Sequence, residues 1–460
     1  MLAVLPCLTA TSSFGRLKVS SEAFLSRFGI LLLALPTAAV FAQQAPQSSS
    51  SPPPEVQAPA QNTLSSLAGQ FFHGDFVNVF AAGGGLYAND PAILNSQGTS
   101  SSFGYNISGG IQAFHQFRTS VLSLSYSLGY TNYQGSGYED GTHQNLSLLY
   151  SKQLGRRWTL GLVESAGTFR YGVGYYPQPN AATPAIGNPF SSVTRFLSSG
   201  VSLTYRQTAR LSYVFGGNFF LTRYSYPGAI GTTGGSGSAS VVYRLTEHTT
   251  VGGTYSHSKF EYQHDAGQAN LDGVHFNASH QFARLWTVSG SVGVTRADSN
   301  GFIRVPVSII LNGQQVTGIA VGPYHRTTLT PSFEGSISRR LRRIIISGSA
   351  GQVVSPGNGV YLASTDRFFG ATASYSMRRA NISASGGYFH LTSLANAVSQ
   401  SYATTSFGAS YGYTLSRHIG AVVRYDYYRY GSLYNYPSAG DNRLSFGLSF
   451  TSGSIPLTLY

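Results

Sequence analysis

Four charged residues alternate with aromatic or apolar neighbours along this chain: Arg206, Glu334, Arg424 and Asp426. Successive side chains of an extended strand point to opposite faces. Each charged group should therefore lie on the face that its aromatic neighbour does not use. Such a face could select solutes by charge. An equally weighted alternative is a set of internal ion pairs that holds the fold together.

The sequence gives little support for a catalytic or metal-binding site. The densest polar cluster is His257, Glu261, His264 and Asp265, and it shows no triad spacing. No phosphate loop, zinc pattern or dinucleotide fingerprint occurs. Solvated loop residues explain the cluster better than a site does. We therefore expect no cofactor, no metal and no enzymatic activity, and we rank a rim enzyme last.

The element that must position these residues is a strand of about ten residues with a two-residue period. In the clearest copy, Val121–Tyr130, Leu and Tyr alternate with Ser and Gly. The pattern recurs along nearly the whole chain with almost nothing helical between copies, which indicates one large sheet. It predicts about 18 strands, near 75–88, 102–114, 119–131, 141–153, 157–171, 193–207, 210–224, 237–246, 249–262, 270–282, 286–297, 326–339, 343–354, 367–378, 380–392, 403–415, 418–430 and 442–452.

Composition indicates that one face of this sheet avoids water. Only 10% of the 460 residues are charged, against roughly 25% in soluble domains. After the N-terminal region, no apolar run reaches the roughly 20 residues of a spanning helix. A sheet can face lipid only if it closes and leaves no edge, because every backbone polar group must be paired.

The N-terminal residues read as export and linker segments. Residues 1–42 contain basic residues, an apolar run from Phe28 to Val40 and small residues before Gln43, which is typical of a signal peptide. Cys7, the only cysteine, lies inside that segment. Residues 43–70 are rich in Pro, Ser and Gln and predict a disordered linker.

The connections alternate between short turns, several rich in arginine, and longer segments rich in Gly, Pro and Asn: 172–192, 225–236, 298–325, 355–366 and 431–441. Short turns at one end and long loops at the other are typical of bacterial outer-membrane barrels. The arginines in or beside the short turns are Arg156, Arg157, Arg339, Arg340, Arg342, Arg343, Arg378 and Arg379. They could attract anions or lipid headgroups, although simple interfacial anchoring is favoured.

At this point the chain resembles the porin-type, single-chain outer-membrane β-barrels of Gram-negative bacteria. The signal peptide, the two-residue repeats, the loop asymmetry and the final strand Leu444–Phe450 before Tyr460 carry the resemblance. It implies an all-β, transmembrane, antiparallel up-and-down barrel over residues 71–460, of about 18 strands with 16–20 possible. General porins would have a long in-folded acidic loop, but 172–192 and 298–325 contain only Asp298 as an acid.

Two positions test the strand assignment. Asn312-Gly313 between apolar runs is a hairpin signal, which we interpret as a hairpin rising above the barrel; two further spanning strands are the alternative. Glu164 shares a face with Leu160 and Leu162, which should meet lipid. We therefore expect a β-bulge or glycine kink between Val163 and Gly167 that moves Glu164 to the other face.

The function predicted from the sequence is a passive channel for small hydrophilic solutes, with Arg206, Glu334, Arg424 and Asp426 lining the lumen. The alternative is a structural, adhesin or polysaccharide-export barrel. Expected partners are outer-membrane lipid and lipopolysaccharide, with small solutes or polysaccharide as cargo. Nucleic acid is not expected, because the signal peptide sends the chain away from it.

Overall fold

The structure is a computed structural model that describes residues 76–89, 101–134, 141–170, 193–225, 230–264, 266–282, 285–311, 314–357, 362–394, 401–431, 439–453 and 455–456. The chain divides into two units, Met1–Ala38 and Ala39–Tyr460, and every described residue belongs to the second. The signal peptide and linker predicted for 1–42 and 43–70 lie outside the described residues. They remain predictions.

The described part of the chain forms nineteen strands, of which the last is a two-residue continuation of the eighteenth. They are β1 Phe76–Asn89, β2 Ser101–Gln116, β3 Ser120–Tyr133, β4 Gly141–Gln153, β5 Trp158–Arg170, β6 Val193–Arg206, β7 Leu211–Tyr224, β8 Thr232–Arg244, β9 Thr249–Tyr262, β10 Gly267–Phe282, β11 Trp286–Leu311, β12 Gln314–Arg340, β13 Ile344–Gly357, β14 Leu362–Ser376, β15 Ala380–Ser393, β16 Ser401–Thr414, β17 Ile419–Tyr430, β18 Ala439–Thr451 and β19 Ile455–Pro456.

These strands close into a barrel. Each strand pairs antiparallel with the next, and β1 completes the ring by pairing with β18 from Phe80↔Thr451 to Asn89↔Asn442. The Ser452 amide also donates to the Val79 carbonyl oxygen at 2.9 Å. Closure satisfies the backbone groups that an open sheet would expose at its edges. The prediction of an all-β barrel of about 18 antiparallel strands is confirmed.

No helix within the described ranges is long and apolar enough to cross a membrane.

The outer wall is apolar, as the two-residue period predicts. On β3 the side chains of Tyr126, Leu128 and Tyr130 are exposed, and the same holds for Leu444, Phe446, Leu448 and Phe450 on β18. Beside the short turns, the Trp158 and Tyr205 rings pack at 4.5 Å between centroids. The Arg339 guanidinium lies 4.7 Å from the centroid of the Trp286 ring. Amphipathic rings beside the turns, at one end of the apolar wall, are typical of a membrane interface.

The two ends of the barrel differ. Turns of three or four residues follow β2, β4, β6, β8, β10, β12, β14 and β16, and we call this the turn end. The opposite, or loop, end includes the connections 90–100 and 171–192, whose residues are not described. By the rule for outer-membrane barrels, the turn end faces the periplasm.

The predicted hairpin at Asn312-Gly313 is confirmed up to its tip, which lies outside the described residues. β11 and β12 stay paired from Trp286↔Arg339 to Leu311↔Gln314. The chain therefore extends two existing strands above the barrel and adds no spanning strands. The predicted loops 298–325 and 355–366 were wrong over most of their length, because β11, β12, β13 and β14 continue into them, and the predicted loop 225–236 was wrong from Thr232 onward, where β8 begins.

The predicted phase shift at Glu164 is wrong. β5 pairs with β4 from Gln153↔Thr159 to Gln144↔Thr168 without an extra residue on either strand. Glu164 therefore stays on the outer face, opposite Leu148 and Ser199. The Ser199 hydroxyl donates to Glu164 Oε1 at 2.6 Å. This hydrogen bond, rather than a bulge, accommodates the carboxylate.

The tyrosines near the loop end divide between the two faces of the barrel. Tyr133, Tyr262 and Tyr430 are buried and lie on the inner face, with Tyr430 opposite Thr404. Tyr130 and Tyr425 are exposed on the outer face, where amphipathic rings suit a membrane interface. The inner tyrosines instead narrow the loop half of the barrel.

Candidate functional site on the lumenal wall

The lumen changes character along its length. In the turn half, Leu149 and Val163 face inward, directly opposite each other, yet are 41% and 42% exposed. Open space must therefore lie in front of them. In the loop half, the inward side chains of Phe196, Leu391 and Tyr402 are 6%, 0% and 1% exposed. The barrel is thus roomy near the turn end and tightly filled near the loop end.

Glu334 lies in a concave part of the turn half. Inward side chains of β8 to β12 line this concavity, which we call the basin; among them are Ser240, Thr254, Asn277, Ser289, Glu334 and Ser336. The strands place these small polar groups on one surface because each contributes every second residue. The basin is therefore a hydroxyl-rich wall with one carboxylate.

The basin's polar groups are already ordered by one another. Asn277 Nδ2 donates to Thr254 Oγ1 at 2.8 Å, and the hydroxyls of Thr254 and Ser240 are 2.9 Å apart. The hydroxyls of Ser289 and Ser336 are 2.6 Å apart. These bonds fix the positions of side chains that would meet a solute, so little ordering is left for the binding step.

Glu334 is the charged residue among the described residues of the basin, and it has no ion-pair partner within the described ranges. Its cross-strand neighbours are Ser291 and Gly351, and neither can neutralise it. Among the described residues, no basic one lines the basin. The sequence-based expectation that Glu334 faces inward agrees with this register, and its role in selectivity remains a prediction.

Arg424 and Asp426 also face inward, but they pair with each other. Arg424 Nε donates to Asp426 Oδ2 at 2.6 Å and Nη2 donates to Oδ1 at 2.7 Å, and both residues are buried. On β18, Arg443 Nη2 donates to Asp441 Oδ2, and Arg443 lies opposite Asp426. The four charges compensate one another, which is the arrangement expected of an internal ion-pair network.

The remaining predicted site residues lie near the turn end. Arg206 is the last residue of β6 and lies on the inward face, exposed, opposite Ser212. The basic residues Arg156, Arg157, Arg340, Arg342, Arg343, Arg378 and Arg379 are exposed in or beside the turns, whereas Arg339 is half-buried against Trp286. The structure thus gathers the basic cluster at the turn end, whereas Glu334 and Arg424 lie several residues farther along their strands, inside the barrel wall.

A feature that sequence reasoning missed lies directly beyond Glu334. The β12–β13 ladder ends at Phe333↔Gln352, although β12 continues with β11 and β13 continues with β14 up to Gly357↔Leu362. Pro331 explains the break. Its carbonyl oxygen faces β13 and accepts a hydrogen bond from Gln352 Nε2 at 2.8 Å, and proline has no N–H to continue the ladder on that side.

Beyond this break, the described end of the β13–β14 pair, around Val354 and Ala363, leans into the lumen. The Ala363 amide on β14 donates to the Tyr262 hydroxyl oxygen on β9 at 2.8 Å. Five steps along the wall at about 4.8 Å each would separate these strands by roughly 24 Å, so the contact must cross the interior. Val354 and Ala363 are buried in one hydrophobic cluster with Phe260, Leu271 and Ala297. We call this segment the inner hairpin.

The histidine and acid cluster considered for catalysis lies on the outer face near the loop end. His257 Nδ1 lies 2.8 Å from Asp272 Oδ1, and Lys259 pairs with Glu261 at 2.7 Å. These side chains are largely exposed, and Asp265 lies outside the described residues. No group of three potential metal ligands occurs in the part of the chain that the structure describes.

A closed antiparallel barrel with an apolar outer wall, a polar lumen in its turn half and short turns at one end is the architecture of porin-type outer-membrane β-barrels. The chain belongs to that class, and its location is the bacterial outer membrane.

No family model matches the chain, and no curated protein matches its sequence. Solved structures that are similar to it include OccK2 (OpdF) of Pseudomonas aeruginosa, with 12% identity, 83% of this chain and 100% of that chain covered, and a TM-score of 0.41. OccAB3 of Acinetobacter baumannii is 12% identical, the match covers 82% of this chain and 99% of that chain, and the TM-score is 0.38. The FrpB iron transporter of Neisseria meningitidis is 10% identical, the match covers 83% of each chain, and the TM-score is 0.39. Each TM-score is below 0.5, so the barrel assignment depends on the chain's own strand pairing.

Proposed function

We propose that the protein is a passive outer-membrane channel for small hydrophilic solutes. The observation that carries this proposal is the accessible inner wall of the turn half. Leu149 and Val163 are exposed to the lumen there, and hydroxyl groups line the basin around Glu334. A barrel of about 18 strands is wide enough for an aqueous lumen, unlike one of eight. The inner hairpin narrows the path, which favours small solutes over polymers.

Conductance in a planar bilayer tests this proposal. Purified protein inserted into the bilayer is expected to give stable, stepwise, ohmic currents in potassium chloride. A preparation that is folded, as judged by its compact migration on unheated gels, but that remains electrically silent would contradict the channel.

The alternative is a structural, adhesin or polysaccharide-export barrel without general channel activity. One observation favours it: inward side chains of the loop half are buried, and a hydrogen bond from the Ala363 amide to the Tyr262 hydroxyl holds the inner hairpin across the interior. Electrical silence together with loop-dependent binding to a surface polymer would support this alternative instead.

Lipopolysaccharide is the proposed partner of the outer wall. Arg195 and Arg223 are directly opposite each other on the outer face near the loop end, and within the described ranges neither has an acidic partner. Like charges in this position repel unless an anion lies between them. A phosphate of lipid A would supply that anion.

Retention of lipid A tests the Arg195 and Arg223 proposal. The Arg195→Gln, Arg223→Gln double variant is expected to retain less lipid A than the native protein after detergent gel filtration. The matched control is Arg342→Gln, Arg343→Gln at the opposite end. Equal retention by all three proteins would contradict the proposal.

A further inference from the structure

We infer that the basin around Glu334 is a binding site for a small organic cation that also carries hydroxyl groups, such as a protonated amino sugar. This inference rests on the proposed channel function and names the solute class that the channel would prefer. It depends on three observations: an uncompensated carboxylate, a surrounding surface of preordered hydroxyl and amide groups, and the location of both at the narrowing of the lumen.

The carboxylate sets the charge of the ligand. Glu334 is half-buried, and no lysine, arginine or histidine of the part of the chain that the structure describes lines the basin. Of the other inward acids, Asp426 and Asp441 are neutralised by arginines, and the buried Asp366 accepts a hydrogen bond from the Ser364 hydroxyl at 2.8 Å away from the basin. A carboxylate in a partly desolvated site attracts a cation more strongly than one in bulk water. An ammonium group is therefore expected at Glu334, and an anionic solute is disfavoured.

The rest of the basin sets the chemistry of the remainder of the ligand. Ser240, Thr254, Asn277, Ser289 and Ser336 present hydroxyl and amide groups that can both donate and accept hydrogen bonds. No aromatic side chain within the described ranges lines the basin, which disfavours a flat apolar ligand. A solute with several hydroxyl groups could exchange its water for these partners with little loss.

The position of the basin gives the site a role in transport. Glu334 lies opposite Gly351 and one residue from the last rung of the β12–β13 ladder. The inner hairpin leaves the wall immediately beyond that rung. A solute that has entered through the turn half must therefore pass Glu334 at the level where side chains and the inner hairpin begin to fill the lumen.

Current block by a matched pair of sugars tests the site. Glucosamine, which is protonated at neutral pH, and N-acetylglucosamine, which is uncharged, are added to single channels of the full chain. Glucosamine is expected to block the current with an apparent Kd about fivefold to tenfold lower than that of N-acetylglucosamine, because only it forms a charge-assisted hydrogen bond with Glu334.

Two variants make the same chemical change in different places. Glu334→Gln should abolish the preference for glucosamine, whereas Glu164→Gln, on the outer wall, should retain it. Equal block by the two sugars in native channels would overturn the site while leaving the channel in place, and so would a preference that survives Glu334→Gln.

If the protein does not conduct, the proposed channel fails, and calorimetric titration of the detergent-solubilised chain with glucosamine then decides the site. Heat of binding that disappears in Glu334→Gln and persists in Glu164→Gln would support it. No binding by the native protein would overturn it.

Discussion

At the residue scale, the charged side chains divide into three environments. Glu164 is on the outer wall, Arg424 and Asp426 are buried together, and Glu334 faces the lumen without a compensating charge. The side on which Glu334, Arg424 and Asp426 lie could be predicted from strand parity. Their pairing could not, because parity fixes a face and says nothing about which neighbours come within hydrogen-bonding distance.

Replacing Glu164 with leucine should stabilise the barrel in lipid. A carboxylate near the middle of the apolar wall carries a desolvation cost, although less than that of a lysine or arginine. We expect the free energy of unfolding in lipid vesicles to rise by about 1 kcal/mol, as measured by urea titration. The control is Glu334→Leu, which removes a carboxylate from the aqueous side and should give no such gain. A loss of stability in Glu164→Leu would show that the outer position needs the charge.

Breaking the Arg424–Asp426 pair should be costly. Arg424→Ala leaves a buried carboxylate without its bidentate partner and should lower the free energy of unfolding by about 3–5 kcal/mol. The double variant Arg424→Met, Asp426→Leu should recover most of that loss, because no buried charge then remains uncompensated. Failure of the double variant to recover would indicate a role for the charges beyond mutual neutralisation.

Measurements of ion selectivity should distinguish Asp426, which is paired with Arg424, from Glu334, which has no ion-pair partner within the described ranges. Glu334→Ala should lower the permeability ratio of potassium to chloride in a planar bilayer, since it removes an uncompensated negative charge from the lumen. Arg424→Met, Asp426→Leu removes one charge of each sign and should change the ratio less. The reverse order would contradict the assignment of Glu334 to the aqueous wall.

At the element scale, the informative departure is the inner hairpin. The sequence predicted ordinary wall strands near 343–354 and 367–378 with a loop between them. Both strands instead continue into that loop, and Val354 and Ala363 are buried against residues of β9 to β11. The signal in the sequence is Pro331, which cannot complete a ladder with β13, but a proline alone does not say in which direction the neighbouring strands will turn.

Loosening the inner hairpin should widen the channel. Tyr262→Phe removes the hydroxyl that accepts the Ala363 amide, a bond that contributes on the order of 1 kcal/mol. We expect larger or more frequent open states in single-channel recordings. Tyr255→Phe on the same strand, whose hydroxyl meets Asp272 on the outer face, is the matched control and should behave like the native protein. Indistinguishable currents from all three would mean that the hairpin does not limit conduction.

At the scale of the whole molecule, the account depends on one closed sheet with two unlike faces. The sequence was sufficient to predict the class, the strand count and most strand boundaries, because the period of two is enforced by lipid on one side and small polar groups on the other. It was not sufficient to predict the filling of the loop half, which arises from contacts between strands far apart along the chain, such as Tyr262 with Ala363.

A pair of nitroxide labels on adjacent residues of β3 tests the central claim most directly. Labels at Leu124 and at Ser125 are compared in lipid vesicles for collision with oxygen, which concentrates in the bilayer, and with a water-soluble nickel complex. The label at Leu124 should collide mainly with oxygen and the label at Ser125 mainly with nickel. Equal accessibility at both positions, or the opposite order, would contradict an apolar wall turned toward lipid around an aqueous lumen.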